Sequence, residues 1–312
     1  MEQFVYELVS NVLDLYLVSQ ATRVEVKLDG SNISVIDDGP GLPFDEPSEL
    51  EDISLATKFF THPHQTRSRD NHAPHVHMDS MLTGVGLAIL NIASAQMTVQ
   101  SWRSGSLWKQ HFAKGISLSP AIAIERGSGR GTQIDLTLDS EIFGDFRPRH
   151  DVLRKTLFEA SHLFSGLKIG FNEEVFCCLG GLKALGLMMN GLLWPFPLFS
   201  IGHAPFHVSL CLDKISLEVA MFGNSETSSH VFSWANGART PERGSHVSGL
   251  FQVLRAVRWT PALCLMHVVM HEPEFAGPMC TKLHAPHIRQ IIYDALFDPI
   301  REYKAQIDEP RF

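Results

Sequence analysis

The stretch ELVSNVLD, residues 7–14, constrains the fold most, because it predicts a helix that carries an aligned polar face. At about 3.6 residues per turn, the acid, amide and acid at positions 7, 11 and 14 share one face of a helix. Another face carries an apolar stripe, which predicts packing on a core. The stripe comprises Phe4, Leu8, Val12 and Leu15. The polar face is either the solvated side of this helix or a functional surface.

Two units follow from the periodicity of the rest of the chain. The run RVEVKLDGSNISVIDDGPGLP alternates with period 2, which predicts two strands joined at Asp29-Gly30. A long polar loop is predicted at 57–82 and a helix at 84–95. Further strands are predicted at 97–103, 106–115, 131–139 and 167–171, and a helix at 150–164. The pattern restarts after 200, with strands at 206–212, 215–222, 230–235 and 263–271 and helices at 245–258 and 285–306.

Composition describes a globular chain without a membrane span. The 312 residues are 44% hydrophobic and carry a net charge of −8, so any nucleic-acid contact has to come from a local groove. The apolar segment 184–201 approaches the length of a bilayer span, but Pro195 and Pro197 interrupt it, which favours a buried helix and an extended loop. Five cysteines without C-x-x-C spacing favour a reducing, cytoplasmic location.

The polar residues suit a nucleoside triphosphate. Asn11 can supply an oxygen ligand to magnesium, and Glu7 can act on an attacking water. Asp37, at a strand end, can accept a hydrogen bond from an adenine amino group. Further candidates are Gly39 and Gly41 beside the base, Gly84, Val85 and Gly86 beside the phosphates, and Thr132 on a later strand. Each motif alone is more typical of an ordinary turn, a helix start or a solvated helix face than of a ligand site; their order along the chain favours the site.

That order resembles the GHKL ATPases. Within them, TGVGLAILNIAS, GTQIDLTLDSEIFGD, GGLKALGLMMNG, FSWANGARTPERGSHVSGLFQVLRAV and PEFAGPMCTKLHAPHIRQIIYDAL resemble the B subunits of bacterial type IIA DNA topoisomerases, namely DNA gyrase and topoisomerase IV. The resemblance implies an α+β fold: a GHKL-type sandwich of helices over a mixed sheet, followed by a smaller α/β transducer domain. It implies an ATP-binding domain at 1–200, with a lid loop at about 57–86, and a transducer-like domain at 201–312.

The resemblance also implies roles for individual residues, with ATP and Mg²⁺ as cofactors. Glu7 would be the general base and Asn11 the magnesium ligand. Lys109 falls where the family usually has an arginine at the pocket mouth. The nucleotide-binding residues would be Asn11, Asp14, Asp37, Gly39, Gly41, Leu42, Pro43, Gly84, Val85, Gly86, Lys109, Thr132 and Lys282.

Several positions depart from the family pattern. Where its transducer loop carries a lysine that contacts the γ-phosphate, this chain has Pro278, Met279 and Cys280, and Lys282 can substitute only if the loop shifts register. Loss of such a charge typically costs several kcal/mol of barrier. Pro40, Met81 and Gln3 replace a family arginine, glycine and histidine, respectively. Nucleotide binding is therefore better supported than rapid turnover.

The ends of the matched region bear on assembly. Met1 lies close before Glu7, so we expect the N-terminal arm of the family to be absent and a homodimer to be weakened. We likewise expect no strand-cleavage module after residue 312, so that partners would include separate topoisomerase subunits.

Three further alternatives stay open at this stage. The chain is either an ATPase module or a degenerate nucleotide-binding paralogue with a regulatory or assembly role; a histidine kinase does not fit the second half. The histidines between 62 and 77 indicate either a polar lid or a metal site. The arginines at 239, 243, 255 and 258 either line a cavity for duplex DNA or are scattered and solvated.

Overall fold

The first helix, α1, spans Glu2–Leu17, as the apolar spacing predicts. Its buried surface is wider than the predicted stripe, because Val5, Val9 and Leu13 are also fully buried. The structure is a computed structural model. It describes residues 2–50, 52–63, 74–76, 78, 86–145, 147–192, 199, 203–212 and 214–308.

A mixed sheet follows α1 in the first of two units, which covers Met1–Cys177. Among the described residues its strands are β1 (Arg23–Asp29), β2 (Asn32–Asp37), β3 (Ser94–Arg103), β4 (Ser106–Ala113), β5 (Ile116–Ser117), β6 (Ile122–Arg126), β7 (Gly131–Leu138), β8 (Lys168–Phe171) and β9 (Glu174–Phe176). Their order is β5-β4-β3-β7-β2-β1-β8-β9, with β6 beside β4. The β1–β8 pair is parallel and the others are antiparallel, so the sheet is mixed, as predicted.

One face of this sheet is buried and the other is polar. Ile134, Leu136 and Leu138 of β7 are buried, whereas Asp135 and Thr137 between them are partly exposed. Such alternation is typical of a sheet with one covered face. The described helices of this unit, besides α1, are α2 (Leu55–Thr61), α3 (Ala88–Ile92), α4 (Ser140–Phe143) and α5 (His150–Leu163).

Two boundaries in this unit differ from the sequence prediction. The predicted loop at 57–82 begins in α2, because Ser54 caps that helix by accepting the backbone N–H of Thr57. The predicted helix at 84–95 is limited to α3, since β3 begins at Ser94 and pairs with β7 there. Residues 84 and 85 lie outside the described part of the chain.

The second unit, Cys178–Phe312, contains a smaller sheet. Its described elements are α6 (Gly181–Leu192), β10 (Phe206–Leu212), β11 (Ile215–Phe222), β12 (His230–Ala235), β13 (Ala238–Arg239), α7 (Ser245–Ala256), β14 (Leu263–Met270) and α8 (Ile288–Asp308). The strand order is β10-β11-β14-β12-β13. Every side chain of the central strand β14 is buried. We find no helix in the described ranges with the length and apolar character of a membrane span.

The division between the units falls at Cys177–Cys178, whereas the sequence placed it at 200–201. The reason is α6, which packs on the second sheet. The N–H of Leu182 in its first turn donates to Glu218 of β11 at 2.8 Å. A Cβ at Gly186 would lie 2.3 Å from the Phe222 ring, so the helix approaches β11 closely.

We expect Gly186→Ala to lower the free energy of unfolding of the second unit by about 1–3 kcal/mol through overpacking. Alanine is the better helix former, so a stabilised variant would contradict the close approach to Phe222. Lys183→Ala, at an exposed position of the same helix, is the matched control and should change stability by less than about 0.5 kcal/mol. Urea unfolding monitored by circular dichroism measures both.

Candidate nucleotide site

Asp37 ends β2 on the buried face of the sheet, where backbone donors surround its carboxylate. The N–H of Gly39 donates to Asp37 Oδ1 at 2.7 Å, and the N–H of Thr132 donates to the same carboxylate. Burial raises the pKa of Asp37 to about 6, and these two donors oppose part of that rise. A carboxylate with two backbone donors keeps free lone pairs and can accept a further hydrogen bond.

The loop after β2 lies directly on the ends of β3 and β7. Gly41 has φ +81°, and a Cβ there would lie 1.9 Å from the carbonyl oxygen of Trp102. The N–H of Leu42 donates to Ser101 Oγ at 2.7 Å, and that oxygen lies 3.1 Å from Thr132 Oγ1. The structure therefore brings the predicted residues Asp37, Gly39, Gly41, Leu42 and Thr132 together. Pro43 follows them, and its carbonyl accepts the N–H of Ala56 in α2.

Helix α1 packs against this loop and presents its polar face beyond it. A Cβ at Gly39 would lie 2.7 Å from Leu15 Cδ1, so the last turns of α1 contact the loop. Asn11 is exposed and makes no side-chain hydrogen bond to the described residues. Its amide oxygen is the hard donor that Mg²⁺ prefers, so this position fits the predicted ion. Glu7 lies one turn earlier, where burial, followed by the charge of Asp14, raises its pKa to about 7.

Asp14 is engaged by the chain itself. Its Oδ2 lies 2.9 Å from His75 Nδ1, and its Oδ1 accepts the N–H of Val76 at 2.7 Å. One turn earlier, Ser10 Oγ accepts the N–H of Met78 at 3.3 Å. The sequence predicted Asp14 as a nucleotide ligand; the structure places both carboxylate oxygens in hydrogen bonds to the segment at 75–76.

Lys109 is not brought to this site. It pairs with Gln100 of β3, whereas its neighbour Trp108 pairs with the buried Ser101. Side chains alternate across a strand, so Lys109 lies on the polar face of the sheet, opposite to the face of Asp37 and Ser101. The predicted place at the pocket mouth therefore does not agree with the register.

The glycines before α3 are described only in part. Gly84 and Val85 lie outside the described residues. Gly86, with φ +61°, precedes α3 in a turn. The phosphate contacts expected of the three residues stay a prediction.

Lys282 belongs to the second unit, in a loop whose register is held by its neighbour. Leu283 is 1% exposed, and its N–H donates to the carbonyl of Arg243. The carbonyl of Lys282 accepts the N–H of Ala276, while its side chain is exposed. A shift in register that moved Lys282 to an earlier position would remove Leu283 from the core, which opposes such a shift.

The histidine and arginine alternatives are partly resolved. Within the described ranges, no group of three or more potential ligands could hold a metal ion, and His64, His72 and His77 lie outside those ranges. Two of the arginines cover aromatic rings, since Arg239 lies over Phe232 and Arg243 over Phe251. Such stacking accounts for them without nucleic acid, and a role with duplex DNA stays a prediction.

Sequence reasoning missed three residues at this site. Ser101 joins the loop to β7, His75 binds Asp14, and Arg130 Nε donates to the carbonyl of Gly39 at 3.2 Å. The position of Ser101 among alternating apolar residues of β3 was an available signal. His75 and Arg130 stand in irregular segments, where no periodicity assigns a direction to a side chain.

We expect Gly41→Ala to displace the Asp37 loop. Gly30 is the matched control, because it also has a positive φ, +60°, but nothing lies within 4 Å of its added Cβ. Gly30→Ala should therefore show only the conformational cost, about 1–2 kcal/mol, whereas Gly41→Ala should lose more stability and also shift the amide resonances of Leu42 and Thr132. Equal effects in urea unfolding and NMR spectra would contradict the close contact with Trp102.

Comparisons with known proteins agree with this geometry. Residues 1–142 match the family described as histidine kinase-, DNA gyrase B- and HSP90-like ATPases. The DNA gyrase B protein of Borrelia hermsii is 26% identical over 99% of this chain and 53% of its own length. The topoisomerase IV B protein of Rickettsia prowazekii is 27% identical over 96% and 50%, respectively. The chain thus spans about half the length of these curated relatives.

A solved structure shares the fold over nearly the whole chain. The topoisomerase IV ATP-binding domain of Francisella tularensis superposes with a TM-score of 0.78 at 21% identity, covering 97% of this chain and 86% of that one. Residues 1–142 thus match the model of the GHKL ATPase family, and the chain is similar in sequence to DNA gyrase B and topoisomerase IV B. The solved structure adds that the fold is shared.

Proposed function

We propose that this chain binds ATP with Mg²⁺ through its first unit and hydrolyses it slowly. The observation that carries the proposal is that the Asp37 carboxylate accepts the N–H groups of Gly39 and Thr132. The backbone at Gly41 packs closely against the end of β3 beside this carboxylate. The named relatives include an ATP-binding domain of the same fold. The gyrase B and topoisomerase IV B relatives are about twice as long as this chain, so strand passage and work with cleavage subunits are proposals for this chain as well.

Each residue has a definite task under this proposal. Asp37 accepts a hydrogen bond from the adenine amino group, and Asn11 supplies an amide oxygen to the Mg²⁺ ion. The bound Mg²⁺ would neutralise phosphate charge. Glu7 takes a proton from water, and a pKa of about 7 suits that role, because a general base works best near the pH at which it is half ionised.

Slow turnover follows from the second unit. The positions where the family has its phosphate-binding lysine are occupied by Pro278, Met279 and Cys280, and the buried Leu283 holds the register of Lys282. This observation also favours the second candidate, a nucleotide-binding paralogue without turnover that regulates or assembles a DNA-processing complex. A homodimer, contact with duplex DNA and the cytoplasmic location remain predictions.

Asp37→Asn should weaken binding of a fluorescent ATP analogue at least tenfold, since a charged acceptor typically contributes about 1.5–3 kcal/mol. Because the pKa of Asp37 is raised in the folded state, its ionisation lowers the free energy of unfolding as pH rises above the ordinary carboxyl value. At about pH 8 the uncharged Asp37→Asn variant should therefore be at least as stable as the native chain. Asp135→Asn, on the polar face of the same sheet, is the control. Unchanged analogue binding by Asp37→Asn would exclude this adenine site.

Turnover is tested by phosphate release from ATP with Mg²⁺. We expect the native chain to stay well below the roughly 1–1000 s⁻¹ of typical enzymes, and Glu7→Gln to lose a further factor of about 100 or more. The native rate should fall as pH drops below 7, because Glu7 becomes protonated. Rapid hydrolysis that depends on Glu7 would refute slow turnover. A rate indifferent to Glu7→Gln would favour the paralogue without turnover.

A further inference from the structure

Asp14, on the polar face of α1 that also carries Glu7, is hydrogen-bonded to His75 and Val76 from a distant part of the chain. His75 Nδ1 lies 2.9 Å from Asp14 Oδ2, and the N–H of Val76 reaches the other oxygen at 2.7 Å. The side chains of His75 and Asp14 are 29% and 22% exposed, so water screens this pair only in part. Two hydrogen bonds to one carboxylate determine both the place and the orientation of the imidazole ring.

Glu7 and Asp14 lie two helical turns apart on the same face of α1, and His75 is bonded to Asp14, so the imidazole stands on the helix face that carries Glu7. In the described part of the chain, the charged groups that act on Glu7 are Asp14, from the same helix, and His75, from the segment facing it. Asp14 raises the pKa of Glu7 and His75 lowers it. The hydrogen bond to Asp14 raises the pKa of His75 in turn, which favours the imidazolium near neutral pH. Glu2, at the start of the helix, is paired with Arg149.

We propose that His75 is a positioning residue for Glu7: held by Asp14, its imidazolium balances the second carboxylate and keeps Glu7 ionised. This inference rests on the proposed function, because it assigns a regulator to the general base. Without the cation, two half-buried carboxylates would share one helix face, and each would disfavour ionisation of the other. The task of the Asp14 oxygens is then to hold a cation rather than a nucleotide.

Removal of His75 and removal of Asp14 are expected to change the pKa of Glu7 in opposite directions. His75→Gln keeps a donor for Asp14 but removes the cation, so the pKa of Glu7 should rise by about half a unit to one unit. Asp14→Asn removes the repelling carboxylate, so the pKa of Glu7 should fall by a similar amount, about half a unit or more. If the His75–Asp14 contact had only a structural role, both variants would shift the pKa of Glu7 in the same direction, because either change would loosen the same segment.

The measurement is a carbon-13 NMR titration of the intact chain labelled at glutamate carboxyl carbons, without nucleotide or Mg²⁺. The Glu7 resonance is assigned by its loss in Glu7→Gln. His75→Lys serves as the rescue variant, since it retains a positive charge, and should leave the pKa of Glu7 near its native value. His111→Gln is the control: His111 is an exposed histidine bonded to Thr98 on the polar face of the sheet, and its loss should change nothing.

Hydrolysis gives a second readout. His75→Gln should slow phosphate release about threefold to tenfold near pH 6 and leave it unchanged near pH 8.5. The reason is that only the acid limb of the pH–rate profile, which reports the pKa of Glu7, is shifted. The proposal would be overturned if the pKa of Glu7 shifted in the same direction in His75→Gln and Asp14→Asn, or if it did not shift in His75→Gln. If Glu7→Gln hydrolyses ATP as fast as the native chain, the proposed catalysis fails, while the titration still decides whether His75 controls Glu7.

Discussion

Burial of α1 on the sheet is the constraint on which the site depends. Val5, Val9 and Leu13 are fully buried, so the rotation of the helix about its axis is determined by its apolar side. Once that rotation is set, Glu7, Asn11 and Asp14 have to emerge together on the remaining face. A shift of one residue would turn charged groups toward the core, where an unpaired charge is costly. The packing of one helix therefore determines where three polar groups stand.

The partly buried carboxyl groups of the first unit differ in the donors that the chain gives them. Asp37 receives two backbone N–H groups, and Asp14 receives His75 and one backbone N–H. Glu7 receives no hydrogen bond from the described residues, and burial raises its pKa to about 7. Carboxylates with several donors are suited to bind, whereas one without donors is suited to exchange a proton. The division of tasks that we propose, with Asp37 in binding and Glu7 in catalysis, agrees with this difference in local hydrogen bonding.

Much of the architecture could be predicted because its elements have clear periods. The helix Glu2–Leu17, the hairpin at Asp29-Gly30 and the buried strand Leu263–Met270 all agree with the sequence. Short edge strands such as Ile116–Ser117 and Ala238–Arg239 were missed, since two residues carry no period. The unit boundary was placed too late, because the apolar composition of α6 shows that it is buried and not which sheet buries it.

The sequence by itself determined the longer elements, their order and the candidate residues around Asp37, since alternation and glycine placement are local properties. Tertiary structure alone decided which side chains meet. It placed Lys109 on the polar face through its pairing with Gln100, and it brought His75 to Asp14 across sixty-one positions of chain. Strand register and long-range closure depend on the whole sheet and on the packing of irregular segments, and neither leaves a repeating pattern in the residues involved.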